Sequence, residues 1–323
     1  MNDSLEPAPT RANGVNWERE TIEKLLFATL REQQAARRWR LFSRLMWLLV
    51  IGAVVWFVVT APGMSSSTTS TPHTAVIEIE GAIADGVEAS AENVLPALRS
   101  AFEDQGAQAI VLLINSPGGS PVQAGIINDE IHRLKALHNK KVYAVVEETC
   151  ASAAYYIAAA ADNIYVDKAS LVGSIGVLMD GFGFTGLMEK LGVERRLMTA
   201  GENKALLDPF SPLDESQKAY LQNMLNEIHQ QFIAVVKKGR GDRLKENGDT
   251  FSGLVWSGQQ AVNLGLADGL GNLDYVAREV IKAEDIVDYT QRENLGLRLA
   301  RQFGASVGEG VFRAAQSAGI QLR

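Results

Sequence analysis

The stretch AIVLLINSPGGS, residues 109–120, decides the fold class. Six apolar residues are followed by Asn115, Ser116 and Pro117, then by two adjacent glycines before a helical pattern that starts near Pro121. A short apolar run that ends in turn residues is typical of a buried strand. Adjacent glycines at its end can aim backbone N–H groups at a negative oxygen, although an ordinary strand-to-helix turn has the same appearance. No phosphate-loop motif follows the strand.

Strand-like and helical patterns alternate along the middle of the chain. Apolar runs begin at residues 75, 109, 142 and 163, and helical patterns occupy residues 88–103, 121–138 and 150–161. Such alternation predicts an α/β fold with a parallel sheet and helical crossovers. Beyond residue 200 the pattern is mostly helical, over residues 214–238, from Ser257 onward, over 273–283 and, more weakly, over 294–320.

The composition excludes several classes of protein. With 46% hydrophobic and 21% charged residues, the 323-residue chain is neither disordered nor fibrous. Its single cysteine, Cys150, cannot form an internal disulfide, and no histidine motif for zinc is present. Residues 1–44 hold eight of the 31 basic and six of the 38 acidic residues, so the rest has a net charge of −9. Nucleic acid is therefore not an expected partner, and no motif implies a metal or organic cofactor.

One apolar segment predicts a transmembrane helix over residues 44–64. Residues 45–64 contain no charged side chain and, at about 1.5 Å per residue, span roughly 30 Å, the thickness of a hydrocarbon core. Five arginines precede the segment, whereas the first basic residue after it is Arg99. This asymmetry predicts a cytoplasmic N-terminus and an extracytoplasmic main domain. A buried core helix and a cleaved signal peptide are the weaker alternatives.

The domain organisation follows from this segment. Residues 1–43 form a cytoplasmic N-terminal segment, in which 17–43 are predicted to form an amphipathic helix. Residues 65–74 are a Ser/Thr/Pro-rich linker, and residues 75–323 are predicted to form one extracytoplasmic domain whose 284–323 portion is a helical tail.

Ser152 is a candidate nucleophile. It stands in CASAAYY, at the start of an Ala-rich helix that follows a strand, where small neighbours leave room for a substrate. The alternative is that Ser152 merely caps this helix. Cys150 is better interpreted as a small buried residue, because no histidine is suitably placed to form its thiolate.

A lysine is the candidate base. The four histidines lie in the linker or in patterns typical of helix surfaces, so none is well placed to serve as the base of a Ser-His-Asp triad. Lys204, in the loop TAGENKALLDPFSP, could act as a base if it were kept neutral, although most loop lysines are simply solvated. Ser174, between two glycines in VGSIGV, could orient that amine.

Taken together, INSPGG, CASAAYY with VGSIGV, and GENK resemble the SppA-type signal peptide peptidases, which are S49 serine peptidases of the ClpP/crotonase superfamily. The similarity covers residues 75–283, and WSGQQAVNLGLADGLG at 256–271 also fits the family pattern. Ala153 and Ala154 depart from it, because the family often has glycines after its serine. The fold implied by the resemblance has repeated β-β-α units around a parallel sheet.

The resemblance also implies the roles of the site residues. Ser152 would be the nucleophile, Lys204 the general base and Ser174 the hydroxyl that positions the lysine. Gly118 or Gly119 would supply an oxyanion N–H group, and Ala153 keeps its own N–H available. Short members of the family assemble into rings or domes, so Ser152 and Lys204 could meet across a protomer interface.

The partners implied are cleaved signal peptides and other unfolded hydrophobic segments, lipid of the bacterial inner membrane, and further copies of the chain. Two other functions stay open. A crotonase-type acyl-CoA enzyme would share the sheet and the glycine turn, and a catalytically silent membrane scaffold would use the fold only for assembly.

Overall fold

The structure is a computed structural model that describes residues 38–53 and 71–292. Residues 38–53 are helical and largely exposed. Within the described ranges, no helix has both the length and the apolar character that crossing a bilayer requires. Residues 54–64 of the predicted transmembrane segment lie outside these ranges, as do most of the predicted amphipathic helix and all of the predicted helix at 294–320.

A mixed sheet of eight strands forms the centre of residues 71–292. The strands are β1 (His73–Glu80), β2 (Ala107–Ser116), β3 (Val142–Ala151), β4 (Asn163–Val166), β5 (Leu171–Gly173), β6 (Val255–Ser257), β7 (Gly269–Leu270) and β8 (Ile286–Asp288). Their order is β6-β5-β3-β2-β1-β8, with β4 paired to both β3 and β7. Every pairing is parallel except that of β5 with β6.

The helices cover this sheet. They are α1 (Ala91–Glu103), α2 (Pro121–His138), α3 (Ala153–Ala158), α4 (Thr185–Leu191), α5 (Glu215–Arg240), α6 (Gly258–Asn263) and α7 (Leu273–Tyr275), with a 3₁₀ turn at Gly241–Arg243 and a π-helical turn at Val276–Ile281. Alternate strand residues such as Ile77 and Leu112 pack beneath α1, α2 and α3, whereas Val76 and Val111 face the C-terminal turns around Val276. Helices on both faces bury the central strands, as a parallel sheet requires.

The long helix α5 approaches α3 closely at its C-terminal end. A Cβ added to Gly239 would lie 2.0 Å from the carbonyl oxygen of Ala159, so only glycine fits there. This contact fixes α5 against the short helix that follows Ser152.

The first and last strands of the described sheet lie side by side. β8 pairs with residues Thr74–Val76 of β1, and the N–H of Tyr289 donates to the carbonyl of Val76 at 2.8 Å. The phenol of Tyr289 donates to Asp104 at 2.6 Å and lies 3.0 Å from His73 Nε2. All three side chains are buried, so these bonds hold the chain segment after β8 against the start of β1.

The predicted α/β class with a parallel-dominated sheet is confirmed. The strand predicted from residue 142 runs further than expected, to Ala151, and α3 is correspondingly shorter than the predicted helix at 150–161. Residues 193–199, VERRLMT, have a strand-like composition but form no strand, since they are exposed and pair with no described strand.

Candidate active site

Ser152 joins the end of β3 to the start of α3 in a conformation that is rare for a serine. Its φ is 53° and its ψ is −122°, and its N–H donates to the carbonyl of Gly173 at 2.8 Å. Non-glycine residues with positive φ are uncommon, and they cluster at functional sites. The Ser152 side chain makes no capping bond to α3, so capping does not account for this serine.

The glycine turn lies close to Ser152 because Gly118 has no side chain. At φ 102°, a Cβ on Gly118 would lie 2.7 Å from Ser152 Cβ and 3.0 Å from the Ala153 nitrogen. Only glycine therefore allows the end of β2 to come this near to the serine. The N–H of Gly118 itself donates to Ser116 Oγ at 3.1 Å.

Ile83 fixes the second glycine from the other side. Ile83 donates to the carbonyl of Gly118 at 2.9 Å and accepts from the N–H of Ser120 at 2.7 Å, which makes a parallel bridge to Gly119. A Cβ on Gly119 would lie 2.1 Å from the carbonyl oxygen of Ile83. The turn is therefore rigidly held on both sides of Gly119.

Two backbone N–H groups near Ser152 have no acceptor among the residues that the structure describes. Within the described part of the chain, the N–H groups of Gly119 and Ala153 donate to no protein atom, whereas that of Gly118 is already occupied. Paired, preorganised N–H donors beside a nucleophile are what an oxyanion hole requires. Of the two glycines considered from the sequence, the geometry favours Gly119.

Ser174 lies in the turn beside Ser152, immediately after β5. Its φ is 49°, and its N–H donates to the carbonyl of Leu254 at 2.8 Å. The preceding residue, Gly173, has a φ of 107° and accepts the N–H of Ser152. One turn thus positions both serines.

A cavity of about 760 Å³ opens in front of the two serines. Its polar lining comes from Ser152, Ser174 and the glycine turn. Its apolar wall comes from two segments, the stretch after Ser174 and helix α5, and comprises Val177, Leu178, Met179, Leu225, Ile228 and Phe232. Such a cavity fits an apolar side chain next to a group that the serine would attack.

Lys204 lies apart from this cluster. It is exposed in the turn at residues 201–207, does not line the cavity, and its amine bonds to no side chain or carbonyl of the described residues. A second cavity of about 610 Å³ lies under the same segment and shares Met179 and Leu225 with the first. Within one protomer, the structure brings together Ser152, Gly118, Gly119, Ala153 and Ser174, but not Lys204.

Cys150 and the histidines do not join the cluster around Ser152. Cys150 is fully buried, and this burial raises the pKa of its thiol, as expected for a small core residue. His73, which was predicted to lie in the linker, is buried at the start of β1. His229, which was predicted to lie on a helix surface, is half-buried and contacts the turn after Ser174. Among the described residues, no cluster of His, Cys, Asp or Glu could hold a metal ion.

A parallel-dominated α/β sheet with a serine at the carboxyl end of a central strand fits the ClpP-like class of folds. Residues 135–287 match the family described as Peptidase family S49. A candidate protease of Methanocaldococcus jannaschii is 33% identical over 215 residues, which cover 65% of this chain and 68% of that protein. The chain therefore belongs to peptidase family S49 and is of the SppA type.

Two further relatives match a larger or similar share of the chain. A candidate signal peptide peptidase SppA of Enterococcus faecium is 30% identical over 222 residues, which cover 66% of this chain and 64% of that protein. A Brucella melitensis protein named as the Na⁺/H⁺ antiporter NhaA is 40% identical over 266 residues, or 77% of this chain. The present chain spans only 36% of the length of that relative.

Proposed function

We propose that the chain is a membrane-anchored serine endopeptidase with Ser152 as nucleophile and Lys204 as general base. The observation that carries the proposal is the uncapped Ser152 at φ 53°, with two unoccupied N–H groups beside it and an apolar cavity in front. Membership of an S49 peptidase family supports it.

The reaction is an acyl transfer. Neutral Lys204 accepts the proton of the Ser152 hydroxyl, whose oxygen attacks a peptide carbonyl, and the N–H groups of Gly119 and Ala153 stabilise the oxyanion. The C–N bond breaks as the lysine returns its proton to the leaving amine. The same lysine then activates water, which releases the acyl group from Ser152.

The lysine is supplied by a neighbouring copy of the chain. Lys204 is exposed and does not line the cavity of its own protomer, and it lies in a segment with many exposed apolar side chains. Among them are Leu178, Phe182 and Met198, at 81%, 78% and 95% exposure. Exposed apolar surface of this kind is typical of an assembly interface.

A fluorophosphonate probe tests the nucleophile and the base. Intact-mass spectrometry of the full chain should show one adduct on Ser152, absent in Ser152→Ala and slowed at least roughly 10³-fold in Lys204→Ala. Lys190→Ala, which removes another exposed lysine from the same segment, should label like the wild type. A folded wild type that stays unlabelled would overturn the proposal.

Mixing the two inactive variants tests the shared site. If the dyad is formed between protomers, Ser152→Ala supplies Lys204 and Lys204→Ala supplies Ser152, so co-assembled chains regain peptidase activity. Activity that stays absent in proven mixed assemblies would place both residues in one protomer.

The substrates follow from the cavity and from the relatives. An apolar cavity beside Ser152 suits hydrophobic segments, and the E. faecium relative is named as a candidate signal peptide peptidase. We therefore assign cleaved signal peptides and other unfolded hydrophobic segments as substrates. An anchor at residues 44–64 in the bacterial inner membrane, with the catalytic domain outside the cytoplasm, places the site where such segments are released.

A further inference from the structure

The turn after β5 is held in an unusual conformation. Gly173 and Ser174 are consecutive residues with positive φ, at 107° and 49°. A serine persists in this region only where its surroundings over-determine it. The contacts around the turn therefore decide where Ser174 lies.

Beyond the ladder of β5, hydrogen bonds of the backbone and of one side chain tie this turn to other elements. The backbone bonds run from Ser152 to Gly173 and from Ser174 to Leu254. The side-chain bond is the contact of His229 Nε2 with the carbonyl oxygen of Ile175, at 3.0 Å. Among the described residues, it is the one bond to the turn that a distant side chain provides.

The contact also shows which ring nitrogen of His229 carries a proton. A carbonyl oxygen only accepts, so Nε2 of His229 carries the proton and donates it. His229 is half-buried on α5, one helical turn before the cavity wall at Phe232, and Ile175 is fully buried. The bond therefore links α5 to the turn in a sheltered position, where a lost donor is not readily replaced by water.

We infer that His229 is a positioning residue for the peptidase reaction. Its bond to Ile175 fixes the turn, and the turn fixes the Ser174 hydroxyl and, through the Gly173 carbonyl, the backbone of Ser152. Among the described residues His229 makes no hydrogen bond to Ser152, so the role inferred here is positioning and not proton transfer. The inference rests on the proposed function, since it assumes that Ser152 reacts.

Paired substitutions of His229 in the full chain test this role. His229→Leu removes the donor, whereas His229→Gln keeps an amide N–H at a similar reach. We expect Leu to slow fluorophosphonate labelling of Ser152 and kcat for a hydrophobic peptide by about 10-fold or more, because small displacements of reacting groups are costly. KM should stay within about twofold, and Gln should restore most of the rate.

Controls separate positioning from stability. Gln230→Leu, at the next, exposed position of α5, should label at the wild-type rate. The thermal midpoint of each variant is measured alongside, and His229→Asn, which is polar but too short to reach Ile175, replaces Leu if the Leu variant does not fold.

The outcomes are distinguishable. Wild-type labelling rates in folded Leu and Asn variants would overturn the inference, as would a Gln variant no better than Leu. A rise in KM with kcat unchanged would also overturn it. A folded wild type that does not label would instead overturn the proposed function on which the inference rests.

Discussion

At Ser152 the chain leaves a strand and enters a helix within one residue. The positive φ makes this change of direction possible, and the missing side chain at Gly118 leaves room for it. The strain of such a conformation, roughly 1–3 kcal/mol, has to be offset by the surrounding contacts. Those contacts come from β2, β5 and the residues before β6, so the reactivity of one serine depends on several elements.

Cys150 should be unreactive in the folded protein. It is the one cysteine in the sequence, it is buried, and burial raises the pKa of its thiol. We expect no modification by a maleimide reagent under native conditions and complete modification in urea, measured by intact mass. Rapid modification of the folded chain would contradict the buried position.

Sequence alone could predict the residue types at the site but not their hydrogen bonds. The glycines and Ser152 stand out because they follow apolar runs. The position of Gly119 is fixed by Ile83, which lies more than thirty residues earlier in the chain, and the contact of His229 joins residues 54 apart. Contacts between residues so far apart produce no local sequence pattern from which they could be predicted.

At the scale of elements, a matched pair of glycines tests the packing of α5. Gly239→Ala places a Cβ 2.0 Å from the carbonyl of Ala159 and should destabilise the protein by about 1–3 kcal/mol. Gly125→Ala, in α2, meets no atom within 4 Å and should stabilise it by about 0.5–1 kcal/mol through helix propensity. Urea unfolding of both variants measures the difference, and equal effects would contradict the close contact.

An ion-pair cluster joins α1 to α2. Arg133 donates to the Glu130 carboxylate at 2.6 Å and Arg99 donates to it at 2.7 Å. The hydrogen bond from Arg133, together with that from Arg99, lowers the pKa of Glu130 to about 2 from its usual 4.5. These bonds outweigh burial, which by itself would raise this pKa.

This pKa shift predicts an acid-dependent loss of stability. Because the folded pKa is depressed, the contribution of Glu130 is complete well above pH 4.5 and is lost as the pH falls towards about 2. The free energy of unfolding of wild type should therefore exceed that of Glu130→Gln by a margin that shrinks over this range. The exposed Glu103→Gln serves as control, and a margin independent of pH would contradict the assignment.

The elements were easier to predict than their boundaries. Helix α2 has the predicted limits because Pro121 begins it and Asn139, in the left-handed conformation, ends it. Helix α3 was predicted too long because the small residues at 149–152 suit a strand end as well as a helix start. Residues 193–199 have the composition of a strand but pair with none of the described strands.

At the scale of the whole molecule, the segment at residues 177–213 should control assembly. Its α4 helix buries no residue, and Leu178 and Phe182 are exposed. We expect Leu178→Asp with Phe182→Asp to convert the full chain from oligomer to monomer, as measured by light scattering after size exclusion. Leu137→Asp, an equally apolar exposed site on α2, should leave the assembly intact, and a wild type that is monomeric would contradict the prediction.

The pairing of β1 with β8 also determines how the domain responds to mechanical load. The two strands are parallel, so tension on residues 71 and 292 pulls β1 towards its start and β8 towards its end. The hydrogen bonds between them are then loaded together in shear, instead of opening one after another as they would in a peeled hairpin. The domain should therefore resist pulling through its two termini more strongly than pulling across the sheet.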